Sequence, residues 1–180
     1  MTPEQVLNAN CKDILDIGGL DSQKTFPNAR VLSLDINPNS GADLIADAHH
    51  IPLPDASQDA VIAFDMIEHL HSPYIFVEEI KRVLRPHGYI YISAPFIHPY
   101  HGGMNAGTYC ADYWRLTEDG LRLLFKDFSV DISSDGGLFY ALSSFGLPTK
   151  WLDRLYSKGK SRHQYFVFGT VNHPAIETAR

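Results

Sequence analysis

The chain has 180 residues. At roughly 150 residues per domain that is about one domain, large enough to bury on the order of 70% of its unfolded surface around one core. With 15 Lys and Arg against 21 Asp and Glu, a formal charge of -6 and a pI near 5.8, no global positive field exists to gather phosphates, which argues against nonspecific nucleic-acid binding. The apolar share of 44% and charged share of 20% belong to a globular chain rather than a disordered one.

The opening residues, MTPEQVLNANCKD, lack the basic start and apolar stretch of a signal peptide, and no run reaches the roughly 20 residues that span a bilayer. Cys11 and Cys110 lie far apart and form no paired-ligand spacing, so neither a disulfide framework nor a zinc knuckle is expected. A cytoplasmic location without an integral membrane segment is the expectation.

Apolar runs of strand length recur between turn and helix signals, which is the rhythm of an α/β sheet. DILDIG (13 to 18), RVLSLD (30 to 35), DLIA (43 to 46), DAVIAF (59 to 64) and GYIYISAP (88 to 95) are mostly apolar throughout, as parallel strands covered on both faces are. Between the last two, Ser72 offers a cap and Pro73 suits the first helical position. Phe76, Val77, Ile80, Val83 and Leu84 make one apolar stripe, and Arg85, Pro86 and Gly88 end the helix. A second helix starts at Thr117, a hydroxyl cap, with Leu121, Leu124 and Phe125 toward the core. FSVDIS (128 to 133) and HQYFVFGTV (163 to 171) read as two closing strands, separated by a helix around WLDRLY.

Ligands of an open parallel sheet bind outside the carboxyl ends of the strands. There the sequence places Asp16, Gly18 and Gly19 after the first strand and Asp35 at the end of the second. Glycine admits a ligand close to the backbone, and a carboxylate can accept both hydroxyls of a ribose, so a nucleoside is indicated. On these residues alone a plain turn at Gly18-Gly19 and a cap at Asp35 stay open.

Three further stretches carry a resemblance. Asp47 to Val61 (DAHHIPLPDASQDAV), Met66 to Leu70 (MIEHL) and Glu79 to Tyr89 (EIKRVLRPHGY), in this order, resemble the class I S-adenosylmethionine-dependent methyltransferases, most closely the type 11 group, over about residues 13 to 130. The run Pro95 to His101 with Asp112 to Thr117 resembles a compact branch associated with surface-glycan pathways. The resemblance implies a Rossmann-like sheet, mostly parallel with an antiparallel closing strand, that binds S-adenosylmethionine. Carried over by position, Asp16, Gly18 and Gly19 border its methionine end, Asp35 holds the ribose and Ile36 packs on adenine. Asp47 and Ala48 read the adenine edge, and the backbone around Phe64 and Asp65 closes the site near the sulfonium. This sequence departs from the family's glycine-rich loop at Leu20 and Ser22, where later glycines are usual.

The spacings from Gly19 to Arg30 and from Asn37 to Asp43 leave little or no room for helices, so one helical layer is trimmed, within a single domain over 1 to 180. About twelve residues precede the first strand, so the family's N-terminal cap is largely absent. The acceptor side is then left to the long segment from Pro95 to Arg115, unless another subunit completes it as a homo-oligomer.

The expected acceptor is a small or glycan-linked molecule, methylated at oxygen, with His101, His98 or His69 as general base because imidazole titrates near neutrality. Packing or loop hydrogen bonding accounts for these histidines equally well. Tyr100, Tyr113, Trp114 and Arg115 are candidate acceptor-binding residues, with a core aromatic pair and a surface arginine as the alternative. No metal is expected, since the His and carboxylate spacings match no standard site. Lys150, Arg154, Lys158, Lys160 and Arg162 around Trp151, Leu152, Leu155 and Tyr156 leave peripheral membrane contact open, although a helix packed on its own sheet explains them too. Two other functions stay open: a noncatalytic nucleoside-binding regulator or subunit, and an NAD-dependent oxidoreductase, which also places an acid after its second strand.

Overall fold

The computed structural model describes residues 1 to 19, 25 to 103, 111 to 135 and 164 to 172. It contains helices α1 (Pro3–Asn10), α2 (Pro73–Val83) and α3 (Glu118–Leu124) and a 3-10 turn at Ile67–His69. The strands are β1 (Asp13–Ile17), β2 (Arg30–Asp35), β3 (Leu44–Ile45), β4 (Gln58–Ala63), β5 (Leu84–Pro95), β6 (Phe128–Asp135) and β7 (Gln164–Val171). The strands form one seven-stranded sheet in the order β3-β2-β1-β4-β5-β7-β6. β1 to β5 pair in parallel, while β7 runs antiparallel to both β5 and β6. The mostly parallel sheet with an antiparallel closing strand is therefore the one expected. The chain order reverses at β1 between β2 and β4, the kind of switch point where open α/β sheets hold ligands.

Side-chain alternation divides the core. From β1, Leu15 and Ile17 join Val61 and Ala63 of β4 beneath α2 and α3, whereas Ile14 joins Ala60 and Ile62 on the other face. Among the described residues the α2 face gathers 24 buried apolar side chains and the opposite face seven, so the two layers are unequal, as the short spacings require. Phe76, Val77, Ile80 and Val83 form the buried stripe of α2.

The thinner face is covered partly by α1, a helix the sequence reading did not identify. Its signal was present: the Thr2 hydroxyl accepts from Gln5 N while the Gln5 side chain accepts from Thr2 N, a reciprocal capping box, and Pro3 follows at the first position. Leu7 anchors the helix in the second core cluster.

Two expectations about α2 are corrected. Ser72 makes no side-chain cap; its backbone N–H instead donates to His49 Nε2 at 3.3 Å. The helix also ends at Val83, and β5 begins directly at Leu84. Leu84 stands opposite Gln58 and Tyr89 opposite Ala60, so Arg85 to Gly88 are excess residues within the strand rather than the end of the helix. Thr117 caps α3 as expected, accepting from Gly120 N at 3.0 Å, and Leu121, Leu124 and Phe125 are buried.

At the amino-terminal edge of the sheet, Asp59 accepts from Lys12 N and Asp13 N. Arg85 joins Asp13 to Asp59, locking β1 against β4 in register. The Trp151 region, the residues Leu20 and Ser22, and Met104 to Cys110 lie outside the described residues. No helix among the described residues is long and apolar enough to cross a membrane.

Candidate active site

A cavity of about 470 Å³ opens at the carboxyl ends of β1, β2 and β4. Its first wall is Ile17 and Gly18. Gly18 has φ +76, the left-handed region that favours glycine, and an added Cβ would stand 3.0 Å from Met66 Cγ on the facing wall. Its N–H donates to Leu34 O at 2.8 Å, which ties the end of β1 to β2. Gly19 and Asp16 stand just behind the wall rather than in it. The Asp16 carboxylate folds back so closely over Gly19 that a Cβ there would lie 2.5 Å from both its oxygens.

From the end of β2 come Asp35, Ile36 and Asn37. One Asp35 oxygen accepts from Asn37 N at 2.7 Å, which tightens the turn and aims the carboxylate along the cavity mouth. Ile36 is 46% exposed although apolar, a flat surface fit for one side of a planar ring.

After β3 the wall continues through Ala46, Asp47, Ala48 and His49. Asp47 accepts from His49 N at 2.9 Å and pairs with His49 Nδ1 at 2.6 Å. Burial raises the Asp47 carboxyl, but these bonds outweigh it and hold the group below the usual carboxylate range. Because Ser72 N donates to His49 Nε2, the ring proton of neutral His49 belongs on Nδ1, toward Asp47. His71 stacks on His49 with centroids 4.0 Å apart and also lines the cavity.

The far wall is Asp65, Met66, His69 and Leu70, with Ala111 and Tyr113 over it. Asp65 sits at φ +51, uncommon for a residue with a side chain. It is held there by Ser93 Oγ, which accepts from Asp65 N and donates to Asp65 Oδ1, and by Gln164, which also donates to that carboxylate. The Phe64 ring stands edge-on to Tyr91 at 4.9 Å and is not part of the cavity lining, which leaves only its backbone for the role expected of it.

The three candidate histidines separate. His69 lines the cavity and shares its Nδ1 with Ala111 O at 2.9 Å, which leaves Nε2 as the acceptor nitrogen. His98 and His101 do not line it: His98 Nδ1 lies 2.9 Å from Pro99 O, and His101 Nδ1 lies 3.2 Å from an Asp112 oxygen. Of the acceptor-side residues only Tyr113 lines the cavity. Tyr100 is exposed elsewhere, and the Trp114 indole N–H donates to Leu70 O at 2.7 Å. Arg115 grips Asp112 with both terminal nitrogens and also donates to the carbonyls of His98, Pro99 and Trp114. Its guanidinium therefore staples two arms of the segment from Pro95 to Arg115 instead of facing an acceptor. The hydrogen bond and charge of Arg115 hold the Asp112 carboxyl down at about 2.

Glu68, next to His69, carried no role in the sequence reading beyond its place in MIEHL. It is 1% exposed, and burial pushes its carboxyl up to about 8. The loop closes over it, with Tyr113 N donating to Glu68 O at 2.8 Å.

Residues 15 to 92 match a family model described as a methyltransferase domain, a span that contains the walls formed by β1, β2, the Asp47 segment and Asp65 to Leu70. A Mycolicibacterium smegmatis protein named "Probable S-adenosylmethionine-dependent methyltransferase" is 42% identical over 76 residues, 37% of this chain and 30% of its own length. A Mycobacterium tuberculosis protein of the same description is 48% identical over 50 residues, 28% of this chain and 18% of its own. The matched stretches thus span under a third of these relatives. Among solved structures, a Haloferax volcanii complex of the Trm112 methyltransferase activator with a methyltransferase superposes with TM-score 0.63 at 18% identity, over 94% of this chain and 88% of that one. Haemonchus contortus phosphoethanolamine N-methyltransferase 2, bound to S-adenosyl-L-methionine, gives 0.61 at 17% identity, over 92% of this chain and 49% of that one. An Archaeoglobus fulgidus S-adenosylmethionine-dependent methyltransferase gives 0.60 at 16%, over 93% and 94%. These three likenesses concern the fold. The family match runs through the residues that build the cavity, and over that span the chain is similar to S-adenosylmethionine-dependent methyltransferases.

Proposed function

We propose that the protein binds S-adenosylmethionine in the cavity at the carboxyl ends of β1, β2 and β4 and transfers its methyl group to a hydroxyl of a small or glycan-linked acceptor. The observation that carries the reading is the convergence on one 470 Å³ cavity of Asp35, Ile36, Asp47, Ala48 and Gly18, drawn from three separate stretches of sequence. Each wall suits one part of the cofactor. Asp35 keeps one oxygen for the Asn37 turn and offers the other to the ribose hydroxyls. Ile36 gives the adenine a face. The Asp47 to His49 backbone gives it a polar edge, and Gly18 lets the methionine end approach. Asp16 and Gly19 support that loop from behind.

The transfer needs the acceptor oxygen, the methyl carbon and the sulfur in line. The oxygen lone pair forms the new O–C bond, the S–C pair returns to sulfur, and the hydroxyl proton leaves to a base. Cationic sulfur tolerates the oxygen-lined Asp65 side of the cavity, and Tyr113 stands over the same opening. Calorimetric titration of the whole chain with S-adenosylmethionine, S-adenosylhomocysteine and NAD tests the reading. Loss of a charge-assisted ribose bond of about 1.5 to 3 kcal/mol makes Asp35→Ala bind roughly 10- to 100-fold more weakly. Unchanged affinity in a folded Asp35→Ala protein, or tighter binding of NAD, refutes it.

A further inference from the structure

We infer that Glu68, His69 and His101 form a site for one zinc-type divalent ion beside the cavity. Their ligand atoms all lie within 4.8 Å of one another: Glu68 Oε1 is 3.8 Å from His69 Nε2 and 3.5 Å from His101 Nε2. Zinc bonds of about 2.0 to 2.1 Å put tetrahedral ligands about 3.3 to 3.4 Å apart, so the two carboxylate–imidazole spacings need to close by only a few tenths of an ångström, and the imidazole pair, which lies within 4.8 Å, by at most about 1.5 Å. Two imidazoles with a carboxylate favour zinc over magnesium or calcium, which take oxygen donors.

Two independent features support an ion there. Glu68 is buried, yet neither carboxylate oxygen accepts a hydrogen bond from any other described residue, an arrangement that costs free energy unless something positive sits between the groups. Each histidine is also oriented from behind. His69 Nδ1 is turned to Ala111 O, and His101 Nδ1 faces the buried Asp112 carboxylate, itself clamped by Arg115, so both Nε2 atoms point at Glu68. A carbonyl or carboxylate on the remote ring nitrogen is the usual support of a metal-bound histidine. Three protein ligands leave a fourth position for water or an acceptor oxygen, and His69 places the cluster at the cavity wall. Ion binding stands without the methyltransferase reading; only the use of that fourth position on an acceptor hydroxyl rests on it. His69 and His101, two of the three histidines offered as bases from the sequence, then serve as ligands.

The test is a titration of the untagged, chelator-stripped full chain with Co²⁺, followed by Zn²⁺ competition, in the absence of S-adenosylmethionine. The expected result is one ion per chain, the intense visible absorption of four-coordinate cobalt, and a zinc Kd below about 10 μM. His69→Ala and His101→Ala are each expected to weaken zinc at least 100-fold and Asp112→Asn about 10- to 100-fold. His87→Asn, an exposed histidine outside the cluster, leaves affinity unchanged. A zinc Kd weaker than about 10 μM, or equal affinity in folded His69→Ala and His101→Ala proteins, overturns the inference. Should those variants fail to fold by circular dichroism, the wild-type cobalt spectrum decides, and a pale six-coordinate spectrum overturns it. Tight zinc binding with no S-adenosylmethionine binding would retain the ion and refute the function instead.

Discussion

Replacing Arg82 by methionine removes a hub that lies outside the cavity yet holds its Asp47 to His49 wall. Arg82 donates to Ile51 O and Leu53 O at 2.8 Å, to both oxygens of Glu79 at 2.9 Å and to Asp55 at 2.8 Å, while Glu79 accepts from Ile51 N at 2.8 Å. These bonds fasten the segment that follows Asp47 to His49 onto α2. The Asp55 pair is worth little because Asp55 is 78% exposed. The two carbonyl bonds contribute about 1 kcal/mol each and the part-exposed Glu79 pair about 1 kcal/mol after screening, giving about 2 to 4 kcal/mol. Methionine keeps most of the apolar stem, so the loss is polar. In a chain of this size 1 kcal/mol moves Tm by about 2 to 4 °C, so Arg82→Met is expected to unfold about 4 to 16 °C lower by calorimetry at pH 7. The Arg82 hydrogen bonds hold the Glu79 carboxyl below its ordinary 4.5. A depressed acid stabilises the fold above its unfolded value and loses that contribution as pH falls through the folded one. The gap between wild type and Arg82→Met should therefore narrow below about pH 4. A Tm within about 2 °C of wild type at pH 7 refutes the reasoning.

Gly18→Ala forces a side chain into the left-handed region and against Met66. Strain of about 1 to 2 kcal/mol and a narrowed methionine end should weaken S-adenosylhomocysteine binding at least tenfold, read by calorimetry. Thr117→Ala removes the α3 cap and should cost about 1 kcal/mol in urea unfolding without changing cofactor affinity, since α3 lies away from the cavity. Equal stability would show the cap to be idle.

The sheet was legible because its strands are apolar on both faces and separated by strong turn residues; β2 spans the expected 30 to 35. The end of α2 was less legible. Pro86 and Gly88 are genuine helix breakers, but Leu84 already pairs with Gln58, and a cross-strand partner 26 residues earlier leaves no trace in local composition. Ser72 makes no side-chain cap, and its backbone N–H is engaged by His49, a partner 23 residues earlier that local composition does not announce. The cavity wall was readable from motifs that are contiguous in sequence, Asp35-Ile36 and Asp47-Ala48. Glu68 was not, because its burial depends on Tyr113 and Trp114 folding back more than 40 residues later. Arg115 was offered as an acceptor ligand for want of any local sign that Asp112 would take both of its terminal nitrogens.

The central claim concerns where the nucleoside binds. A crystal structure of the chain with S-adenosylhomocysteine tests it most directly. The account predicts ribose hydroxyls within hydrogen-bonding distance of Asp35, adenine against Ile36 with its edge at Asp47 to His49, and the sulfur directed toward Asp65. Nucleoside density outside this cavity, or a ribose that makes no bond to Asp35, would contradict it.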